Sequence, residues 1–172
     1  FELLQGVTVI DLSSGGDSIK DLVVAIMLDL FYSQMRAIGS SKLEGDYRQL
    51  NKMILVDEAA NLLSKNFSSL NNILKEGREF GVGTILSTQL LSHFSTGDNE
   101  YANYINTWVV HNVSDLNNKD IRYIFNTKSK VDEDGLYNKI KSLKKHESMV
   151  KLGDSNNPVL VRDKAFWELI VN

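Results

Sequence analysis

Four short apolar runs, each closed by a polar residue, set the strongest limit on what this chain can fold into. They are 7–12 (Val-Thr-Val-Ile-Asp-Leu), 53–57 (Met-Ile-Leu-Val-Asp), 83–87 (Gly-Thr-Ile-Leu-Ser) and 107–111 (Thr-Trp-Val-Val-His). All are rich in β-branched residues, and they are continuous rather than alternating. That pattern predicts parallel strands covered on both faces. Asp11, Asp57, Thr88 and Asn112 mark their polar ends. Helical stretches lie between them. Residues 18–35 are apolar on nearly every side, which predicts a helix buried against the sheet. Phe67, Leu70, Ile73 and Leu74 fall on one helical face, with Asn66 or Ser68 as a cap, and Gly77 and Gly81 break the pattern. Residues 100–104 and 117–125 read as shorter helices, the second with Ser114 or Asp115 as its cap. Strand alternating with helix predicts a three-layer α/β fold with a mostly parallel sheet and right-handed crossovers.

The C-terminal part departs from that rhythm. Residues 148–152 and 159–162 flank Gly-Asp-Ser-Asn-Asn-Pro, the signature of an antiparallel hairpin at a sheet edge. Residues 165–171 would close the chain with a short helix. Residues 38–46 form the most loop-like segment. The chain's 172 residues fit one domain, and with 42% hydrophobic residues it can bury a core. A net charge of −3 argues against a strongly basic nucleic-acid module. The absence of cysteine excludes disulfides and thiolate metal sites, and His93, His111 and His146 have no ligand spacing for zinc. The longest apolar run, 22–28, is far short of a membrane span, and no signal peptide is present, so a cytoplasmic protein without membrane contact is expected. The chain starts at Phe1 and enters a predicted strand at once, which reads as an excised fragment.

Asp57 and Glu58 are the sharpest chemical signal, since an apolar strand delivers two adjacent acids to the edge where ligands of open α/β sheets bind. In a nucleotide hydrolase the first would hold magnesium and the second would orient or deprotonate the attacking water. The alternative is an acidic strand end that caps the next turn. The stretch 75–89 (Lys-Glu-Gly-Arg-Glu-Phe-Gly-Val-Gly-Thr-Ile-Leu-Ser-Thr-Gln) then brings Thr88 and Gln89 to the same edge. They form a neutral pair able to sense a phosphate, or else an ordinary strand-end cap and a solvated side chain. His111 reads as a structural histidine, Trp108 and Trp167 as core, and the run Lys139, Lys141, Lys144 and Lys145 as a solvated helix face or a phosphate-contact patch.

In order, Val-Ile-Asp-Leu-Ser, Ile-Leu-Val-Asp-Glu-Ala, Lys-Glu-Gly-Arg-Glu-Phe-Gly-Val-Gly and Ile-Leu-Ser-Thr-Gln resemble the HerA/FtsK-type P-loop ATPases over 7–161. Residues 29–35 and 77–89 are similar, more narrowly, to the C-terminal region of the DptH (DndH) family of DNA-phosphorothioation-dependent restriction systems. The resemblance implies a partial RecA-like (ASCE P-loop NTPase) domain and an ATP-hydrolysing DNA translocase or helicase. ATP and Mg²⁺ would be its cofactors. Duplex DNA and other restriction-complex subunits would be its partners, within a homo-hexamer. Asp57 would be the Walker B magnesium residue, Glu58 the catalytic glutamate, and Gln89 with Thr88 the polar sensor. Arg78 would be an arginine finger acting on a neighbouring subunit, or else an ion-pair partner of Glu76 or Glu79. Arg36, Arg48 and Arg122 are further finger candidates.

One departure bears on activity. The family's Gly-x-x-x-x-Gly-Lys-Ser/Thr loop is absent from these residues, and Gly15-Gly16-Asp17-Ser18 lacks its lysine. The chain would then be the C-terminal portion, 1–172, of one ATPase domain without its Walker A strand and loop, inactive alone. Three other classes remain: a non-catalytic assembly module, a secretion- or conjugation-type ATPase, and a metal nuclease using Asp57 and Glu58.

Overall fold

A computed structural model describes residues 6–65, 67–96, 99–153, 155, 157–165 and 168–169. The chain is α/β and divides into two compact units, Phe1–Val56 with Lys65–Leu86, and Asp57–Ser64 with Ser87–Asn172.

In the first unit, described residues before Asp17 have no regular secondary structure, and helix α1 (Asp17–Ile38) follows and ends at Gly39. A small hairpin follows, β1 (Leu43–Glu44) against β2 (Tyr47–Arg48), inside and just after the segment predicted as loop. Strand β3 (Lys52–Val56) pairs in parallel with the later β4 (Val82–Leu86), with Val56 opposite Leu86. These two strands match the sequence expectation within a residue.

Three expectations fail in this unit. Residues 7–12 join no sheet, and Val7 and Val9 are 95% and 86% exposed. A strand needs a lateral neighbour for its backbone groups, and no described strand supplies one. Helix α1 is not buried on nearly every side. Leu28 and Met35 are buried, while Ile19, Leu22 and Ile26 are exposed. Helix α3 (Ser68–Glu76) covers one face, where Ser69 donates to the Asp29 carboxylate and Tyr32 donates to Glu76 at 3.0 Å. The α3 cap position is Phe67, with no side-chain cap bond; of the two candidate caps, Ser68 is the first helical residue and Asn66 lies outside the described residues.

Gly81 governs how β3 and β4 meet. Its φ is +70°, and a Cβ there would sit 2.3 Å from the Gln49 carbonyl oxygen. The Gly81 carbonyl accepts from the Asn51 and Lys52 amides at 2.7 and 3.2 Å, which starts the parallel ladder. Only glycine combines that left-handed backbone with so close an approach.

In the second unit, α2 (Ala60–Ser64) buries Leu63. After the 3₁₀ turn Leu91–Phe94 come the short hairpin β5 (Ser95–Thr96) and β6 (Asn99–Glu100), the 3₁₀ turn Tyr101–Tyr104 and β7 (Thr107–Val110). Helices α4 (Asn118–Phe125) and α5 (Lys130–Lys141) precede β8 (Glu147–Leu152) and β9 (Val159–Arg162). The three long strands form an antiparallel sheet, β7-β8-β9. The C-terminal hairpin is therefore present as predicted.

The expectation of one mostly parallel sheet does not hold among the described residues, where four small sheets occur and β3–β4 is the parallel pair. Strand β7 is antiparallel to β8, with α4 and α5 lying between them in the sequence. Helix α5 carries no apolar stripe that would announce it. It is held by its Ser129 cap and by Arg122, which donates to both oxygens of the buried Glu133 at 2.7 and 3.0 Å. Those bonds hold the Glu133 carboxyl below the usual range. Helix α4 is capped by Asn117 in a capping box with Asp120, not by Ser114 or Asp115. Predicted closing helix 165–171 and Trp167 fall largely outside the described residues. Trp108 is core, edge-on to Phe94. Lys139, Lys144 and Lys145 are exposed, but Lys141 donates to the Val113 and Ser114 carbonyls and so leaves the solvated face. No helix among the described residues is long and apolar enough to cross a membrane.

Gly81→Ala should destabilise the protein by at least about 2 kcal/mol, through left-handed strain plus the clash with Gln49. Denaturant unfolding measures this, and a wild-type midpoint would refute the role given to Gly81.

Candidate functional site

Strands β3 and β4 run parallel and end together, so the chain leaves β3 as Asp57-Glu58-Ala59 and leaves β4 as Ser87-Thr88-Gln89. Two bonds join the two exits. The Ala59 amide donates to the Ser87 carbonyl at 2.7 Å, and the Ser87 hydroxyl donates to Asp57 Oδ1 at 2.9 Å. Asp57 Oδ1 also accepts from the Glu58 amide at 3.0 Å. One carboxylate oxygen is thus fixed by protein donors while the residue stays exposed. Ala59 is fully buried and starts the short path into α2 through its carbonyl bond with Leu63.

Glu58 stands in the left-handed region at φ +50°, unusual for a non-glycine residue. The turn between the Asp57 and Ala59 anchors imposes it. Its exposed carboxylate accepts a long hydrogen bond from Gln89 Nε2 at 3.4 Å. Backbone strain of this kind persists only where the surroundings over-determine it, and it concentrates at functional sites.

Thr88 is half-buried and meets His93 Nδ1 at 2.6 Å. The turn that carries His93 is anchored twice. Asp115 accepts from the Leu91 and Ser92 amides and the Ser92 hydroxyl at 3.2–3.3 Å, and Phe94 packs on Trp108. Asp115, a candidate helix cap by sequence, serves this turn instead.

The structure therefore brings Asp57, Glu58 and Gln89 together with Ser87, while Thr88, between Ser87 and Gln89 in the chain, turns its hydroxyl to His93. Arg78 belongs to the other compact unit, on the exposed turn between α3 and β4. Its expected acidic partners are engaged elsewhere, Glu76 with Tyr32 and Arg36, and Glu79 with Ser40. Among the described residues the Arg78 side chain makes no ion pair. Arg36, Arg48 and Arg122 are committed to Tyr32 and Glu76, to the Ser41 carbonyl and to Glu133. His111 bonds the Glu147 carbonyl, as a structural histidine should.

Ser87 and His93 were not singled out from the sequence. The parallel register supplies a signal for Ser87, since the residue after Leu86 must oppose the residue after Val56. His93 carries no such signal, because a 3₁₀ turn brings it back to Thr88. No group of three or more His, Asp or Glu residues able to hold a metal occurs among the described residues. One aspartate with a neighbouring hydroxyl does suit magnesium, which binds through one or two carboxylates together with water and substrate phosphate. A cavity of about 420 Å³ lined by α5, β8 and β9 residues contains none of these side chains.

The fold is shared with a nucleotide hydrolase. A viral genome packaging NTPase, B204 from Sulfolobus turreted icosahedral virus 2, solved in complex with ATP-gammaS, superposes with a TM-score of 0.59 at 16% identity, over 95% of this chain and 71% of that one. VirB4 of Thermoanaerobacter pseudethanolicus superposes with a TM-score of 0.63 at 17% identity, over 95% of this chain and 42% of that one. The chain thus spans less than half the length of that VirB4. No protein-family model matches the chain, and no curated protein does.

Glu58→Gly should raise the melting temperature, by the equivalent of up to about 1 kcal/mol, because glycine removes the left-handed penalty at φ +50°. Calorimetry reads it, and a lowered melting temperature would show that the Glu58 side chain, rather than the turn, holds that geometry.

Proposed function

We propose that the chain is the Walker B and sensor half of an ATP-hydrolysing motor, the C-terminal portion of one RecA-like domain. Its phosphate-binding loop would be supplied by sequence outside these 172 residues. The observation that carries the reading is the pinned pair of strand exits. Asp57 is oriented by Ser87, Glu58 stands beside Gln89, and the fold is shared with an NTPase solved with ATP-gammaS.

In this reading Asp57, one of whose oxygens is held by Ser87 and the Glu58 amide, would be the residue that holds the magnesium of Mg·ATP. The magnesium ion offsets phosphate charge. Glu58 takes the proton of the attacking water, and the Gln89 amide orients that carboxylate without adding charge. Thr88 offers its hydroxyl to phosphate oxygen. Arg78, exposed and without an ion pair among the described residues, would stabilise the transferring phosphoryl group of a neighbouring subunit in a homo-hexameric ring. The work driven would be translocation of duplex DNA within a restriction complex that responds to phosphorothioation, as the similarity of 29–35 and 77–89 to DptH implies. A genome packaging NTPase of the same fold is consistent with a nucleic-acid cargo. The VirB4 likeness favours a second reading, a secretion- or conjugation-type motor. Stimulation of ATP turnover by duplex DNA separates the two.

Glu58→Gln in the full-length protein should cut ATP hydrolysis at least about 100-fold while ATP-gammaS still binds. Unchanged turnover would sink the assignment. Arg78→Ala should be equally inactive, and mixing it with Glu58→Gln should restore activity. In mixed rings an intact Glu58 then meets an intact Arg78 from the next subunit. If two inactive variants stay inactive when co-assembled, Arg78 does not act between subunits.

A further inference from the structure

We propose that His93 is a positioning residue that fixes the direction of the Thr88 hydroxyl, with the proton on His93 Nδ1. The inference rests on reading this edge as phosphate-facing, and it adds a residue that the family resemblance does not contain.

A threonine hydroxyl has one proton and two lone pairs. The 2.6 Å contact between Thr88 Oγ1 and His93 Nδ1 must use one of them. If Thr88 donates to the ring, it has only lone pairs left for the site, and lone pairs repel phosphate oxygens. If Nδ1–H donates to Thr88, the threonine proton is free for an anionic oxygen. Only the second arrangement makes Thr88 useful beside ATP, and an imidazole that carries a proton on Nδ1 provides it.

The surroundings are built to keep the ring where this requires. The turn Leu91–Phe94 is a single 3₁₀ turn with little stability of its own. Asp115 holds its first amides, and the buried Phe94 locks its last residue against Trp108. His93 lies between these anchors, so its backbone is fixed on both sides and its ring starts from a defined place beside Thr88. Thr88 receives its bond from a fixed group rather than from water, which removes a rotor from the site before substrate arrives.

The test is a double-mutant cycle in the full-length protein, with Thr88→Val and His93→Leu. Each single variant should lower kcat about tenfold, the effect of one hydrogen bond, with KM for ATP within about twofold. The double variant should be no slower than the slower single variant, because both changes remove the same bond. His93→Asn, whose amide reaches the place of Nδ1, should recover most of the loss. It also guards against misfolding of the leucine variant. The ¹⁵N shifts of labelled His93 in the nucleotide-free protein should show Nδ1 protonated and Nε2 bare. Additive losses of about 100-fold, an unaffected His93→Leu enzyme, or the Nε2–H tautomer would each overturn the proposal. If His93 behaves normally while Glu58→Gln is dead, this inference alone falls. If Glu58→Gln is fully active, the ATPase reading itself falls, and the tautomer measurement still reports on the histidine.

Discussion

The site depends on one short main-chain bond, from the Ala59 amide to the Ser87 carbonyl at 2.7 Å. A strand exit is normally the place where register is lost, because the ladder ends and each chain turns away. Here the ladder is extended one step past the last paired residues, Val56 and Leu86. Asp57 is trapped between a paired strand and a pinned Ala59, so its carboxylate has a fixed place to go, and Ser87 occupies that place with its hydroxyl. Glu58 bears the cost. Closing the turn in three residues forces it into the left-handed region, a conformation disfavoured by about 1–2 kcal/mol for a side chain with Cβ. A buried Ala59, which leaves no volume to rearrange, helps keep it there. The adjacency of the two acids, plain in the sequence, therefore has a structural meaning that adjacency alone does not. One acid is satisfied and oriented, and the other is held out and strained.

The ladder itself begins with Gly81, at the far end of the same two strands. Glycine is required at the start of the pairing and a buried alanine at its end, with β-branched and aliphatic residues between. These small residues look unremarkable in the sequence, yet they determine whether Asp57 and Ser87 meet. A change of one residue in register would put Thr88 opposite Asp57 and turn every side chain of β4 to the other face.

What could be read from the sequence follows from which forces are local. Strands β3 and β4 were legible because their apolar runs are bounded by glycine and by charged residues, and the C-terminal hairpin because its turn residues lie between two short β-branched runs. Residues 7–12 are as apolar and β-branched a run as β3 but form no strand, since composition reports what can be buried and not whether a neighbour exists. Helix α1 shows the same gap. Its apolar residues were visible, but only the face against α3 is covered. Helix α5 was missed for the opposite reason. Its sequence, with Gly135 in its middle, has no apolar stripe, and its order comes from a cap and a two-pronged Arg122–Glu133 pair that spacing does not reveal. At the site, Asp57, Glu58, Thr88 and Gln89 were legible as strand-end residues. Ser87 and His93 were not, because their roles exist only after the register and the 3₁₀ turn are formed.

The donor set also constrains the chemistry. Among the described residues no group of three or more His, Asp or Glu could hold a metal ion, and Asp57 stands with the Ser87 hydroxyl and the neighbouring Glu58 carboxylate alone. A site of this kind has little hold on a free cation. It suits a cation that arrives already bound to phosphate, for which a single aspartate need only complete the shell. The same economy applies to the neighbouring groups. Gln89 and Thr88 are neutral, so they can approach an anion without repelling it and approach Glu58 without raising the charge of an already acidic edge. A nuclease-like metal cluster would need the reverse, more carboxylates and fewer amides. On the function proposed above, this balance of neutral and acidic groups would suit transfer of a phosphoryl group delivered with its own metal, and the proposed orientation of the Thr88 proton by His93 would be its finest adjustment.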